Sequence, residues 1–151
     1  MNLKTIEKVD QNSINSCKMN TKIVVIEDDR NISELIRYNL ESIGYTVFIS
    51  YDGESGYRLI SEENPNLIIL DLMLPKISGI ELCWQIRHSE TNFDIPVIIL
   101  SAKCSESDSM LGYKIGADDY MTKPFSVCEL QKHVKDLLQR TNAHTAEIFN
   151  K

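Results

Sequence analysis

Short apolar runs alternate along the chain with longer stretches in which hydrophobic residues recur every three or four positions. The first run, Ile23 to Ile26, is β-branched and reads as a buried strand. It ends abruptly at Glu27-Asp28-Asp29. Next, Ile32, Leu35, Ile36, Leu40 and Ile43 share one face of a predicted helix, with Asn31 and Glu34 at capping-box spacing and Gly44 as its stop. Tyr45 to Ser50 predicts a second strand, and Asp52 caps a helix carrying Tyr57, Leu59 and Ile60 that ends before Pro65. Leu67 to Leu70 is unbroken apolar sequence, as expected for a central strand covered on both faces. It ends in Asp71 and gives way to a loop marked by Pro75 and Gly79. A third helix bears Ile80, Leu82, Cys83 and Ile86. Pro96 leads into a fourth strand, Val97 to Leu100, that stops at Ser101-Ala102-Lys103. Glu106 to Ile115 carries only a thin stripe for a helix. Tyr120 to Thr122 predicts a short fifth strand closed by Lys123-Pro124. Ser126 and Glu129 then open a helix with Val127, Leu130, Val134, Leu137 and Leu138, and past Arg140 the pattern dissolves into polar sequence.

Strand and helix thus alternate five times, which predicts right-handed crossovers and a single α/β domain: a doubly wound (βα)5 fold with a parallel five-stranded sheet. Residues 22–140 form the expected domain, and 141–151 read as a tail or the start of a linker. The leader, 1–21, is rich in Asn, Ser, Lys and Gln. Its Leu3, Ile6, Val9 and Ile14 make a loose helical stripe, but the composition favours disorder and a segment the domain can lose. Met19-Asn20 repeats Met1-Asn2, so Met19 is an alternative start.

Composition narrows the function classes. A chain of 151 residues can build a real core, and no apolar run approaches the ~20 residues a membrane helix needs. The N-terminus lacks the apolar centre of a signal peptide. Cys17, Cys83, Cys104 and Cys128 lie far apart without a Cys-x-x-Cys pair, which predicts free thiols in a reducing cytoplasm. A net charge of −6 argues against a direct grip on nucleic acid and suits a divalent cation.

The candidate chemistry lies where the strands end, since open α/β sheets carry their sites beyond the carboxyl ends of their strands. A carboxylate such as Asp71 is there a helix cap, a metal ligand or a nucleophile. The first strand supplies Glu27, Asp28 and Asp29; the third, Asp71; the fourth, Ser101; the fifth, Lys123. Gathered carboxylates repel unless a cation joins them, and oxygen-only ligands suit Mg²⁺. A lysine and a hydroxyl beside such an ion complete a clamp for a phosphoryl group, with Asp71 as covalent acceptor. Asp29 reads as a cap or loop residue, and His88, His133 and His144, which sit apart, as surface residues rather than ligands.

The spacing of Glu27-Asp28, Asp71, Ser101 and Lys123-Pro124 resembles the receiver domain of bacterial two-component response regulators. Asp-Leu-Met-Leu-Pro with Gly79, Ser-Ala-Lys, Gly-Ala-Asp-Asp-Tyr and Lys-Pro-Phe carry the likeness from about Lys22 to Arg140. The last two motifs are closest to the OmpR/PhoB-type, winged-helix subfamily. The resemblance implies a flavodoxin-like (CheY-like) fold. It implies Asp71 as phosphoacceptor from a sensor histidine kinase. It also implies Mg²⁺ (or Mn²⁺) held by Asp28, Asp71 and the backbone carbonyl of Met73, with Glu27 acting through water. Ser101 and Lys123 would meet phosphoryl oxygens, the Lys123-Pro124 bond would be cis, and Tyr120 would be an aromatic switch. The domain would catalyse nothing beyond its own phosphorylation and dephosphorylation. Its output would be transcription through a DNA-binding domain beyond this chain, or protein–protein contact by a stand-alone receiver. The family's phosphorylated dimer uses the fourth helix, fifth strand and fifth helix. On that face Asp118, Asp119, Glu129 and Lys135 fit the pattern, while Ser109 and His133 replace basic residues, so a weak, salt- and pH-sensitive homodimer is expected.

Rival readings fit less well. An aspartate-nucleophile phosphatase usually has a second acid two residues after the nucleophile, where this chain has Met73. A nucleotide-binding module needs a glycine-rich first turn, where Glu27-Asp28-Asp29 would repel phosphate. A degenerate, binding-only receiver would not keep all the site positions.

Overall fold

A computed structural model of the chain describes residues 21–102 and 115–149, with side chains to residue 141. The strands are β1 (Lys22–Ile26), β2 (Thr46–Ser50), β3 (Leu67–Asp71), β4 (Val97–Ser101) and β5 (Asp119–Thr122). The described helices are α1 (Arg30–Glu41), α2 (Gly53–Glu63), α3 (Gly79–Arg87) and α4 (Val127–Phe149). All strand pairs are parallel, in the order β2-β1-β3-β4-β5, as a doubly wound topology requires.

The unbroken apolar runs are explained by two cores, one on each side of the sheet. Alternate residues point opposite ways, so Ile23, Val25, Ile69, Ile98 and Leu100 face α1 and α4, where they meet Ile36, Leu40, Leu130 and Val134. Val24, Ile26, Ile68, Leu70 and Ile99 face α2 and α3, against Ile60, Leu82, Cys83 and Ile86. Each fully buried Ile or Leu side chain stabilises the fold by ~1.5–3 kcal/mol before the cost of ordering it. At the amino edge of the sheet, Arg87 ties α3 to the starts of β4 and β5. It donates to the carbonyls of Ile95 (2.6 Å) and Gly116 (2.7 Å) and pairs with Asp118, whose Oδ2 accepts from Val97 N at 2.8 Å.

Two local readings change. Helix α1 is capped by Asp29, whose Oδ1 accepts from the amides of Asn31 and Ile32, and not by an Asn31/Glu34 box. Asn31 already lies inside the helix, because the strand ends early enough for Asp29 to reach those orphan amides. Helix α4 continues to Phe149, past the end of its apolar pattern, because nothing after Arg140 is Gly or Pro and propagation needs no buried face. The helix read over Glu106 to Ile115 lies almost wholly outside the described residues, as does the leader. Asp52 caps α2 at 2.8 Å and Ser126 accepts from Glu129 N at 3.0 Å, as the sequence predicts. Among the described residues no helix is long and apolar enough to cross a membrane, and Cys83 and Cys128 are free thiols.

Candidate functional site

The carboxyl edge of the sheet carries the predicted cluster. Glu27 follows β1 directly, and its amide donates to Ser50 O at 3.0 Å, which keeps it in line with β2. One oxygen each from Glu27, Asp28 and Asp71 lie within 4.8 Å of one another. Glu27 and Asp71 are buried and Asp28 is exposed.

The two buried carboxylates are held in the same way. Glu27 Oε1 accepts from Asp29 N at 3.2 Å, and Asp71 Oδ1 accepts from Met73 N at 3.1 Å. Their other oxygens converge on Lys123, whose Nζ is 2.8 Å from Glu27 Oε2 and 3.2 Å from Asp71 Oδ2. Lys123 arrives from the end of β5, where its amide donates to Ser101 O at 2.7 Å and its bond to Pro124 is cis. Ser101, the last residue of β4, is buried. It stands beside Asp71 because β3 and β4 pair Asp71 with Leu100. Tyr120 lies one strand further out, half-buried against the core on the α2 and α3 side.

The loop after Asp71 is pressed onto the site. Gly79 donates its amide to Leu72 O at 3.0 Å, and a Cβ there would stand 2.1 Å from the Asp71 carbonyl. That close approach, rather than an unusual φ, is what glycine provides at the start of α3. On the other flank, a Cβ on Gly53 would meet Ile77 O at 2.6 Å, so the loop also rests on the start of α2.

Electrostatics show what the cluster lacks. Burial, with repulsion from Asp71, pushes the Glu27 carboxyl up from 4.5 to about 7, although the nearby Lys123 ammonium pulls the other way. Burial opposes the charge on Lys123, but the carboxylates of Glu27 and Asp71 outweigh it and hold the ammonium above its ordinary pKa. Three carboxylates face one ammonium, so a divalent cation would restore neutrality. Glu27 Oε2 is buried and close to Lys123, yet it accepts no well-aligned hydrogen bond, which leaves lone pairs directed into the cluster. An all-oxygen donor set with two partly committed carboxylates and open solvent at Asp28 fits a hard ion such as Mg²⁺.

Glu27, Asp28, Asp71 and Lys123 are therefore brought together, with Ser101 and Tyr120 on the adjoining strands. For Met73 the described contact is through its amide, and its side chain is exposed. The site role of Gly79 and the orienting amide of Asp29 were missed, since both depend on approach distances. His133 is a part-exposed residue on the face expected to meet the aspartates near Tyr120. Its Nδ1 lies 2.5 Å from Asp119 Oδ2, because α4 packs alongside β5. His88 stacks on the exposed Trp84, with ring centroids 4.0 Å apart.

Comparison with known proteins adds the following. A family model described as the response regulator receiver domain matches residues 23–135. The alkaline phosphatase synthesis transcriptional regulatory protein PhoP of Bacillus subtilis (strain 168) is 48% identical over 134 residues, which cover 87% of this chain and 55% of that protein. The chain thus spans about half the length of this relative. Among solved structures, the receiver domain of Francisella response regulator 1452 superposes with a TM-score of 0.75 at 39% identity, covering 80% of this chain and 98% of that one. The BeF3-activated N-terminal receiver domain of Klebsiella pneumoniae RstA gives 0.73 at 30% identity, over 78% and 98%.

Proposed function

Since the chain belongs to the response regulator receiver family, we propose that it accepts a phosphoryl group on Asp71 from a sensor histidine kinase and passes the change to a transcriptional output. The observation that carries this reading is the Asp71 carboxylate, which ends the central strand with one oxygen fixed by an amide and the other turned to a half-buried ammonium.

In the reaction, an Asp71 oxygen attacks phosphorus and the bond to the donor breaks. The leaving group departs with the electron pair. Lys123 is already within reach of the carboxylate oxygen and meets the charge of the incoming phosphoryl oxygens. The Ser101 hydroxyl, on the neighbouring strand, donates to another. Asp28, Asp71 and the Met73 carbonyl would hold Mg²⁺ directly and Glu27 would act through water; the chemistry such an ion would supply is Lewis-acid charge neutralisation. Ser101 and Tyr120 would then carry the switch to the face formed by β5, α4 and the segment before them. Phosphorylation favours a dimer there only through contacts that differ between the two states. Asp119 already pairs with His133 in its own chain, so a partner must compete for it, which supports a weak homodimer. DNA would be reached only through a further, DNA-binding domain, in the cytoplasm.

Treatment with acetyl phosphate and Mg²⁺, followed by intact mass measurement, tests the assignment. The chain should gain one phosphoryl group and Asp71→Asn none; full labelling of the variant would overturn it.

A further inference from the structure

A second cation stands at the rim of the acidic cluster, on the side away from Lys123. Arg30 is the first residue of α1, only two residues beyond Asp28, so their Cα atoms are separated by at most roughly 7 Å. Its guanidinium lies over the ring of Tyr51, 4.4 Å from the centroid. Tyr51 follows Ser50, which pairs with Ile26, the residue before Glu27. The strand order places Tyr51 at the end of β2, Glu27 and Asp28 at β1, Asp71 at β3 and Lys123 after β5. The acids are thus flanked by a half-buried cation on the β5 side and an exposed one on the β2 side.

Arg30 would be expected to collapse onto an acid, with Glu27, Asp28 and Asp29 so near in sequence. Among the described residues, however, no carboxylate comes within ion-pair distance of it, and its recorded partner is the Tyr51 ring. Asp29 is engaged with the amides of Asn31 and Ile32. Stacking on an aromatic face holds a guanidinium in place while its N–H groups stay free to bind an anion.

We propose that Arg30, held by Tyr51, is a positioning residue for the anionic phosphodonor at the mouth of the site; this rests on the reading of Asp71 as phosphoacceptor. With a dianionic acyl phosphate the covalent step balances on its own. An Asp71 oxygen bonds to phosphorus, the phosphorus–oxygen bond to the acyl group breaks, and the carboxylate leaves with the electron pair and without a proton. Arg30 acts before that step. It lowers the electrostatic cost of bringing a dianion up to a site that is itself acidic. The same positive charge opposes a divalent cation, so its two effects have opposite signs.

The opposite signs provide the test. Arg30→Gln, Arg30→Lys, Tyr51→Leu and the distant control Lys22→Gln, at the amino end of β1, are compared with the wild type. Labelling rate is measured with acetyl phosphate across a salt series, and Mg²⁺ affinity by calorimetry without donor. Arg30→Gln should label about three- to tenfold more slowly at low salt, with the gap closing as salt screens the charge. It should also bind Mg²⁺ somewhat more tightly. Arg30→Lys should keep most of the rate, Tyr51→Leu should lose part of it, and Lys22→Gln should match the wild type. An Arg30→Gln variant that labels at the wild-type rate at low salt, or that loses rate and Mg²⁺ affinity together, overturns the proposal. If the wild type itself takes no label, the phosphoacceptor reading falls and this proposal with it. A labelled wild type beside an indifferent Arg30→Gln sinks the positioning role alone.

Discussion

Replacing Glu27 by glutamine should make the metal-free protein more stable at neutral pH. Glutamine has the shape of the protonated acid, and the protonated form is the one this site favours, since burial raises the carboxyl from 4.5 to about 7. The folded state therefore binds the extra proton between those values, and the wild type loses stability as pH rises through that window. Below about 4.5 the penalty is absent; above about 7 it is complete. At about 1.4 kcal/mol per pH unit, the gap amounts to about 3 kcal/mol. Lys123 keeps Asp71 as a partner in the variant, 3.2 Å away, so the ammonium is not stranded. Urea unfolding in the presence of a chelator, from pH 4 to 8, measures both proteins. Subtracting one curve from the other removes every group they share. The variant's advantage should grow by about 3 kcal/mol across the window and shrink when Mg²⁺ is added. A difference that stays flat with pH, or that favours the wild type increasingly as pH rises, would refute the account of Glu27 as a buried acid without enough positive charge.

Other substitutions probe the remaining parts. Asp28→Ala should abolish the Mg²⁺-dependent rise in melting temperature, which at a hundredfold excess over Kd corresponds to about 2.7 kcal/mol; a surviving rise would place the ion elsewhere. Gly79→Ala should destabilise by ~1–3 kcal/mol or more in urea unfolding, because the atoms a Cβ would meet, Asp71 O and Leu72 Cα, are backbone and cannot turn aside. Arg87→Leu should cost ~2–4 kcal/mol by the same measurement, and Arg87→Lys should recover little of it, since one ammonium cannot span carbonyls and a carboxylate lying on different sides.

The strands and their order of chemistry were legible because burial on both faces leaves no polar position to confuse the reading. Leu67 to Leu70 could hardly be anything else, and Asp71 at its end is conspicuous for the same reason. The α1 cap was harder, since Asp29 and Asn31 are both good cap residues and the choice depends on where the strand releases the chain. The far end of α4 was invisible to periodicity, which registers burial rather than helicity. His133 with Asp119, Arg30 with Tyr51 and Arg87 with Gly116 are pairings across elements. No spacing rule encodes the last two, and the pattern assigned Arg30, Tyr51 and Arg87 no role; His133 near Asp119 was approached only through the family resemblance.

The two edges of the sheet are built on opposite terms. At the amino edge Arg87 is nearly enclosed, and its charge is answered by Asp118, which in turn accepts the amide of Val97, while Asp118 N donates back to Val97 O. Donors and acceptors there close on one another, which leaves little for a ligand to add. At the carboxyl edge Glu27 is displaced in pKa, Gly79 sits against the Asp71 carbonyl, and Lys76 holds a φ of 69° in the loop above. Those features weaken the metal-free fold, and they persist only because the two apolar cores and the opposite clamp over-determine the backbone. A site left short of positive charge gains most from a cation and an electrophile arriving together, while a neutralised one would gain little. The same imbalance that costs stability in Glu27 is thus what leaves the cluster room for added positive charge.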